Sequence, residues 1–524
     1  MSSSSIQSPL PGFSSGAQKL IENAIAKNDM EFFYKLYLAR LAELSLTGRG
    51  KEFYQHAMSS IDDSPAGQIM AKGFEALANL IDLDFKKCIL ILDELEKTTV
   101  GLEINPWVLQ ISNLCRANIS FHNGDFNDSL KHAHAAINSP IKSGSLDPID
   151  QGRLIRLICC ISLILSDIDQ INKCADDILK VANPDGLTEL SHAKSAIESM
   201  RLLASGNYRE AYEIANSIVQ IEETEGRTGV SAPFDCRFVV TRCLYEFSLI
   251  SEALEQLEVL REQSIKNKSN FIFWLCEVGK LRILSRNIYD LAQVSQKVEE
   301  LREKLLLDPT LKNMAWLVDL AEIFVKNSTN EIARVNSLVS RNHNIPYVKL
   351  LGRSRMKNFD FEDLNSIKAL PETTSFELIY KNIQLSKFRS EGGKKQREYL
   401  TIAVQKGEEV GAREIFLRQD NQTLEAIINL SEKLNSQWLE SLSRSCVERI
   451  KERNTLVQFG GEQLTQREIE VLKYLSTEKS VEQIGRTLHI SKNTMKTHLK
   501  NIYRKLEVKN RKEASQIAKS KLLV

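Results

Sequence analysis

No apolar segment of the sequence is long enough to cross a membrane as a helix. The longest nearly continuous apolar run, residues 157–165, has nine residues, about half of what a spanning helix needs. Residues 1–15 are mostly serine, proline and glycine and lack the basic start and apolar stretch of a secretory signal. We therefore predict a disordered tail over residues 1–15, a cytoplasmic protein and no membrane partner.

Metal-binding and redox motifs are missing as well. The nine cysteines are scattered, mostly among aliphatic residues, and form no Cys-x-x-Cys pair. This usage is typical of a reducing compartment, where thiols serve as small apolar core groups. His122, His132 and His134 are close in sequence, but side chains at positions i and i+2 of a helix point to different faces. We expect neither a metal nor a cofactor.

The sequence also lacks the motifs of common nucleotide-dependent and hydrolytic enzymes. The phosphate-binding loop G-x-x-x-x-G-K-[ST] is absent, and the nearest run, residues 392–395, lacks the first glycine and the final hydroxyl. Neither a strand–helix unit with clustered acids nor a nucleophile–base pair is recognisable. We therefore predict that the chain is not an enzyme.

Charge is balanced over the whole chain but unevenly distributed. The net charge is only +1, yet residues 451–524 hold 16 lysines and arginines against 8 acidic residues, a net of +8, which leaves −7 for the rest. A basic C-terminal segment on an acidic body indicates that this segment meets a polyanion.

Helical periodicity is abundant. From residue 15 to residue 456 apolar residues recur at three- and four-residue spacing, and prolines mark many of the breaks between helical segments. Six turn motifs can be aligned at residues 83, 124, 166, 206, 248 and 286, with spacings of 41, 42, 40, 42 and 38 residues, and Asn327 would extend the series. This repetition predicts stacked helix pairs.

The two clearest repeats show how such pairs would pack. Gly124 and Gly206 stand in the turns, and an aromatic residue follows two positions later. Small residues then occupy the second helix: Ser129, Ala133, Ala136, Ala211 and Ala215. These copies resemble tetratricopeptide repeats, although the period is near 41 residues rather than about 34 and the leading Trp-Leu-Gly signature is missing. The resemblance implies an all-α solenoid over residues 16–455, and the alternative is an irregular helical domain.

Residues 462–524 show the pattern of four short helices. Thr465 and Glu468, three residues apart, predict a capping box at the start of the first helix. The second helix, residues 481–488, holds Gly485 in its middle. A glycine there costs about 1 kcal/mol relative to alanine, which a close approach of another helix would justify.

The third helix, which Ser491 would cap, has two contrasting faces. From residue 491 to residue 512 there are eight basic residues and one acid. A helix with one side in a core and a basic face beside it fits the major groove of DNA. The apolar stripe consists of Met495, Leu499, Ile502 and Leu506, and the adjacent face of Lys496, Thr497, Lys500 and Arg504.

This segment resembles the LuxR-type helix-turn-helix signature almost from end to end. Gly485 and Met495 depart from the pattern, in which alanine and valine are usual, but both keep the small or apolar character. The resemblance covers about an eighth of the chain. The matching positions are Leu464, Thr465, Arg467, Glu468, Glu470, Val471, Leu472, Ile490, Ser491, Thr494, Lys496, His498, Leu499, Asn501, Ile502, Lys505, Leu506, Val508, Asn510 and Arg511.

The resemblance implies double-stranded DNA as a partner. Base edges would be read from the third helix by Lys496, Thr497 and Lys500. The fourth helix, about residues 510–519, would form the surface of a homodimer, because one such module offers too small a contact for tight binding. RNA polymerase is a further expected partner. Phosphate contacts are expected from Ser491, Thr494, Arg504, Lys505 and Arg511.

A further resemblance lies before this domain, in residues 399–428. They are similar to the helices that close the sensor solenoid of large LuxR-type activators. Those activators also carry an ATPase, for which we expect no counterpart because the repeats begin within the first hundred residues. Residues 429–454 predict another amphipathic helix, and residues 456–461 a linker with a glycine hinge.

Two functional hypotheses remain open. In the first, the protein is a bacterial, cytoplasmic transcription regulator whose solenoid senses a ligand, peptide or protein partner, with the acidic body able to shield the basic domain. In the second, it is an interaction scaffold for which DNA binding is secondary. The basic set Lys496, Lys500 and Arg504 favours the first.

Overall fold

The computed structural model describes residues 44–59, 61–103, 105–138, 148–181, 188–229, 233–286, 291–328, 332–342, 364–388, 392–455 and 458–520, the last with gaps at 460–461, 465, 476, 478 and 489. Within these ranges the protein consists of α-helices, one 3-10 helix and one hairpin of two-residue strands. The predicted all-α class is confirmed. The predicted tail over residues 1–15 lies outside the described residues.

The helices before residue 343 follow one another in pairs. They are α1 (Gly50–Met58), α2 (Pro65–Ile81), α3 (Phe85–Thr98), α4 (Asn105–His122), α5 (Phe126–Ile137), α6 (Pro148–Leu165), α7 (Ile168–Lys180), α8 (Thr188–Ser205), α9 (Tyr208–Thr224), α10 (Phe234–Glu246), α11 (Ile250–Lys266), α12 (Asn270–Leu284), α13 (Leu291–Leu307), the 3-10 helix (Pro309–Met314), α14 (Ala315–Ser328) and α15 (Ile332–Arg341).

Later elements lead into the C-terminal helices. They are α16 (Leu364–Lys368), α17 (Ser375–Ser386), α18 (Gly392–Val410), α19 (Glu414–Leu417), α20 (Asn421–Ser431), α21 (Gln437–Thr455), β1 (Gln458–Phe459), β2 (Glu462–Gln463), α22 (Gln466–Leu475), α23 (Val481–Thr487), α24 (Lys492–Lys505) and α25 (Arg511–Ser520).

The aligned turn motifs are the turns within the helix pairs. Five of the six aligned positions have a positive φ, so the chain reverses through a left-handed residue at the same place in each repeat. The following amide then bonds back over the turn, as Asp84 N does to Asn79 O at 2.8 Å, which satisfies a carbonyl at the helix end. The predicted turns are confirmed. The five residues are Leu83 (φ 59°), Gly124 (φ 72°), Ser166 (φ 58°), Gly206 (φ 81°) and Ser248 (φ 64°).

An aspartate directly after three of these turns starts the second helix of the pair. The side chains of Asp84, Asp125 and Asp167 each accept a hydrogen bond from the backbone N–H three residues later, at 3.0–3.1 Å. This is the geometry of an N-cap. The turn and the start of the following helix are therefore specified together by two adjacent residues.

Small residues lie where the helices of a repeat approach closely. The predicted contact residues Ser129, Ala133, Ala136, Ala211 and Ala215 are all fully buried. Ser129 Oγ donates to the carbonyl of Ala117 on the preceding helix at 2.7 Å, which larger side chains would prevent. The burial expected for these small residues is confirmed, and the solenoid as a whole stays a prediction.

The chain divides into two compact units. The first contains the described residues up to Ala204, together with Glu210–Thr241 and Gln256–Trp274. Segments far apart in sequence meet inside it: the Phe271 ring lies 5.5 Å from that of Phe121 and 4.8 Å from that of Phe126. Such contacts are absent from an ideal solenoid, in which each repeat touches only its neighbours.

The second unit contains Ser205–Arg209, Arg242–Glu255 and the described residues from Leu275 onward. Here too, repeat turns meet distant segments. The Oγ of Ser375 donates to Asn207 at 2.6 Å, and Arg413 N donates to Glu246 O at 2.8 Å.

Two details before the C-terminal domain differ from the sequence-based expectations. The helix expected over residues 429–454 begins only at Gln437, because α20 ends at Ser431 and a turn intervenes. Within the expected linker, Phe459 pairs with Glu462 in an antiparallel hairpin. The pairing of β1 with β2 therefore joins the chain segments before and after the predicted hinge. Among the helices with described residues, none has the length and apolar character of a membrane span.

Candidate DNA-binding surface

The C-terminal helices enclose a hydrophobic core of their own. Each of α22 to α25 contributes to it, so the burial that holds this domain together comes from residues close in sequence. The fully buried members are Leu464, Val471, Leu472, Leu475, Ile484, Met495, Ile502, Leu506 and Ala514.

Helix α23 and the turn after it place the third helix. Ser480 caps α23, and Gln483 completes a reciprocal capping box. A Cβ on Gly485 would lie 3.2 Å from the carbonyl oxygen of Ile490, and Ile490 N donates to Gly485 O at 2.8 Å. The close approach expected at this glycine is present, but it comes from the backbone of the turn and not from a crossing helix.

Helix α24 begins at the predicted cap. Ser491 accepts a hydrogen bond from Thr494 N at 3.2 Å, and the two hydroxyl oxygens are 2.7 Å apart. Both side chains are exposed. The N-terminus of α24 therefore carries two hydroxyl groups and the positive end of the helix dipole, a combination that suits a phosphate group.

The two faces of α24 separate as the sequence predicts. Met495, Ile502 and Leu506 are buried in the core, and Leu499 packs against it. The opposite face is polar: the side chains of Lys496, Thr497, Lys500 and Arg504 are exposed. The buried apolar stripe thus fixes α24 in the domain, and the cationic side chains of the other face lie toward solvent.

Lys505 lies at the edge of this surface and has a partner within the domain. Its Nζ is 2.7 Å from a carboxylate oxygen of Glu468 on α22, and the side chains are 12% and 3% exposed. The ion pair joins the end of the third helix to the first. Contact of Lys505 with a phosphate stays a prediction.

Arg511 also makes contacts within the domain. Its Nε donates to Leu475 O at 2.9 Å and its Nη2 to Thr477 O, so it joins the start of α25 to the end of α22. Burial raises the pKa of nearby Tyr503, and the charge of Arg511 lowers it to a smaller extent.

Arg467 has a comparable use that the sequence reasoning did not assign. It donates to the carbonyl of Leu488 and pairs with Glu470, which ties α22 to the turn before α24. The available sequence signal was the adjacent charged pair Arg467 and Glu468. In the structure Glu468 is only 2% exposed and lies on the side of α22 that faces the core.

In the part of the chain that the structure describes, no group of three metal-ligating side chains is placed to hold an ion. Two of the three histidines considered from the sequence have other partners. His122 stacks on Phe85 with ring centroids 5.7 Å apart, and His132 Nδ1 is 2.7 Å from the amide oxygen of Asn113.

Comparison with known proteins agrees with this geometry. Residues 462–518 match the family model described as "Bacterial regulatory proteins, luxR family", the region that holds the four helices and their core. Residues 462–518 form a LuxR-type helix-turn-helix domain. The match concerns this domain, and the helical repeats before it lie outside the matched region.

Individual relatives share the same LuxR-type domain. The chain is 48% identical over 59 residues to the HTH-type transcriptional regulator MalT of Vibrio cholerae, covering 11% of this chain and 6% of that protein. It is also 48% identical over 59 residues to the CsgBAC operon transcriptional regulatory protein of Escherichia coli, covering 11% and 27%. The chain thus spans only a small part of the curated relatives that it matches.

Proposed function

We propose that this protein is a sequence-specific, DNA-binding transcription regulator of the bacterial cytoplasm. The observation that carries the proposal is the two-sided helix α24. Its apolar stripe is fixed in the domain core, and its exposed face presents Lys496, Lys500 and Arg504. Relatives that share this domain are regulators by name.

In the proposed complex, α24 lies in the major groove. Lys496 and Lys500 donate to guanine O6 and N7, and the Thr497 methyl group contacts a thymine methyl. Arg504 and the hydroxyl groups at the start of α24, on Ser491 and Thr494, contact phosphates and fix the register of the helix on the duplex.

Lys505 and Arg511 have a different first role in this proposal. Because Glu468 and two backbone carbonyls already hold them, they position α24 and α25 within the domain. Phosphate contact by either is a second role that mutagenesis can test.

Two domains on one duplex complete the proposal. A single helix buries little surface on DNA, so we infer a homodimer through α25 that binds two half-sites. The helical repeats supply the sensor, for a ligand, peptide or protein, because stacked helix pairs offer extended surfaces for such partners. Contact with RNA polymerase belongs to the same proposal.

Selection of binding sites from random duplexes tests this function. The full chain and a fragment of residues 455–524 should both enrich a two-fold-symmetric sequence, with affinity falling steeply as salt rises. Lys500→Ala should lose the selected sequence. Lys479→Ala, which removes an exposed lysine that lies outside α24 and α25, is the matched control and should keep it.

The outcomes separate the alternatives. If only the fragment selects a site, the acidic remainder of the chain restrains the DNA-binding domain. If neither binds DNA at low salt, the transcription-regulator proposal is wrong and an interaction scaffold takes its place.

A further inference from the structure

Two cysteine thiols of the first unit lie against each other within one helix pair. Cys159 belongs to α6 and Cys174 to α7, and their thiols are hydrogen-bonded to each other. The two residues are 15 positions apart in the sequence, a spacing that matches no redox motif, so the pair becomes visible only in the structure. They are 0% and 2% exposed.

The turn between α6 and α7 places these two residues opposite each other. Helix α6 ends at Leu165 and α7 begins at Ile168, and helices joined by so short a turn run antiparallel. Cys159 lies seven residues before the turn residue Ser166, and Cys174 lies eight residues after it. Equal distances from the turn correspond to equal heights on the two helices, which explains why the thiols meet.

Cys159 also occupies the place in the repeat where the two helices approach closely. In the α4–α5 pair the residue seven positions before the turn is Ala117, and its carbonyl accepts a hydrogen bond from Ser129 Oγ at 2.7 Å. A disulfide needs Cα atoms within about 7 Å of each other, so this place in the repeat suits one. The corresponding residues of the other pairs are also small or short and buried: Ala76, Ser199 and Thr241.

The two thiols differ in acidity. The amide nitrogen of Gln170 lies 3.7 Å from the sulfur of Cys174. Hydrogen bonds from Cys159 and from Gln170 lower the pKa of the Cys174 thiol, although burial opposes them. The bond between the two thiols raises the pKa of Cys159. Since the thiolate is the nucleophilic form, Cys174 is the sulfur prepared to attack, and Cys159 keeps its proton.

Only one side chain separates the sulfur of Cys174 from solvent. Helix α7 buries a single stripe, formed by Ile171, Cys174 and Ile178. Gln170 is one turn before Cys174 and partly exposed, and its amide is the group in contact with the sulfur. Glutamine has a flexible, unbranched side chain, so its rotation uncovers the sulfur to a molecule as small as hydrogen peroxide.

A second pair of thiols in the same unit lacks these features. Cys88 on α3 and Cys115 on α4 are also hydrogen-bonded to each other, but that bond and burial raise the pKa of Cys115. Both residues are 0% exposed and lie in an apolar cluster. Among the described residues, no side-chain amide contacts either sulfur. This pair therefore serves as an internal control for proximity without activation.

We infer that Cys159 and Cys174 are a modification site at which a peroxide forms a reversible disulfide. The Cys174 thiolate attacks one oxygen of hydrogen peroxide, the O–O bond breaks, and the departing hydroxide takes up the thiol proton and leaves as water. Cys159 then attacks the sulfur of the resulting sulfenic acid. The S–S bond forms, the S–O bond breaks, and a second water leaves with the Cys159 proton. The two thiols lose two electrons, which the peroxide accepts.

The disulfide would fix α6 against α7 inside the helical repeats. It would thus give the proposed sensor an input that responds to oxidation and is reversed by cellular thiols. This use as a signal rests on the proposed function, whereas formation of the bond does not. The test below contains no DNA, so its failure leaves the transcription-regulator proposal untouched.

Peptide mapping of the folded full chain after brief treatment with hydrogen peroxide tests the inference. Free thiols are alkylated in denaturant and the chain is cut with trypsin without reductant, which places Cys159 in residues 157–173 and Cys174 in residues 174–180. Mass spectrometry should find these two peptides joined by a disulfide that dithiothreitol removes. The peptides of the control pair, residues 88–97 and 98–116, should stay alkylated.

Three variants locate the reacting sulfurs. Cys159→Ser should abolish the cross-link and leave a sulfenic acid on Cys174 that dimedone traps, whereas the matched control Cys160→Ser, in the same peptide, should keep the cross-link. Gln170→Leu should slow its formation by about two- to fivefold, the effect of losing one hydrogen bond.

Two results with the unmodified protein overturn the inference without any variant. One is the absence of the cross-link at peroxide concentrations that leave the circular dichroism of the fold unchanged. The other is equal cross-linking of Cys88 with Cys115, which would show that proximity alone decides. A cross-link that Cys160→Ser removes and Cys159→Ser keeps would also overturn it.

Discussion

Replacing Lys505 with methionine should destabilise the DNA-binding domain far more than a surface substitution would. The amine lies 2.7 Å from Glu468, and the exposed fractions of the two side chains are 12% and 3%. Removing Lys505 takes the cation away from a buried carboxylate, and breaking a buried pair in this way costs about 3–5 kcal/mol. A domain of this length has a total stability of about 3–9 kcal/mol, so the substitution should remove a large part of its free energy of unfolding.

Thermal denaturation of the fragment of residues 455–524, followed by circular dichroism, measures this loss. The fragment is suitable because the core of the domain is built from its own residues. The double variant Lys505→Met with Glu468→Leu removes both charges and should recover most of the stability. If Lys505→Met alone melts within a few degrees of the unmodified fragment, the argument from a buried ion pair is refuted.

The same double variant separates positioning from phosphate contact. Each phosphate contact contributes about 0.9 to the slope of log affinity against log salt concentration. We expect the double variant to bind DNA with an unchanged slope, since the structure places the amine of Lys505 at Glu468. A decrease of about 0.9 for each protomer would assign Lys505 to a phosphate.

Three further predictions concern single side chains. Lys500→Ala should weaken binding to the selected site by about 1–3 kcal/mol for each half-site and relax the base preference at one position of the half-site, whereas Arg504→Ala should weaken all sequences alike and reduce the salt slope by about 0.9 for each protomer; mobility-shift titrations on matched and mismatched duplexes measure both. Burial lowers the pKa of His122 from 6.5 to about 4, so the unfolded chain binds the proton more tightly and stability falls as the pH decreases from about 7 to about 5, by about 2 kcal/mol from this residue. His122→Phe should remove that part of the decrease in urea denaturation at the two pH values, and an identical decrease would contradict the assignment. Ser166 has a φ of 58°, a conformation that favours glycine, so Ser166→Gly should raise the melting temperature through a gain of about 1 kcal/mol, whereas a lowered one would show that the serine side chain matters more than the backbone.

The features that sequence reasoning predicted correctly are local. A turn motif, a left-handed residue and a helix cap lie within a few positions of one another, and the small residues Ala133 and Ala136 follow within the same helix pair. The apolar stripe of α24 is likewise a matter of helical spacing. Such patterns are visible because the residues that interact are neighbours in the chain.

The features that sequence reasoning missed are contacts between residues far apart in the chain and side chains whose partners differ from those expected. The contact of Phe271 with Phe121 joins residues 150 positions apart, which no local pattern reports. Lys505 appears in the sequence as a surface base, but its amine lies 2.7 Å from the buried carboxylate of Glu468. The strands that flank the glycines after Phe459 are too short to show alternation.

The division of basic residues by role also predicts the salt dependence of DNA binding. Eight basic residues lie between residues 491 and 512, and a dimer that used them all would show a slope near 14. The structure already engages Lys505 and Arg511 within the domain and presents Lys496, Lys500 and Arg504 on the exposed face of α24. If Lys496 and Lys500 read bases and Arg504 alone of these three neutralises a phosphate in each protomer, the slope is about 2. Titration of binding against salt decides between the two values, and a slope near 14 would mean that the internal contacts of Lys505 and Arg511 give way to phosphates when DNA binds.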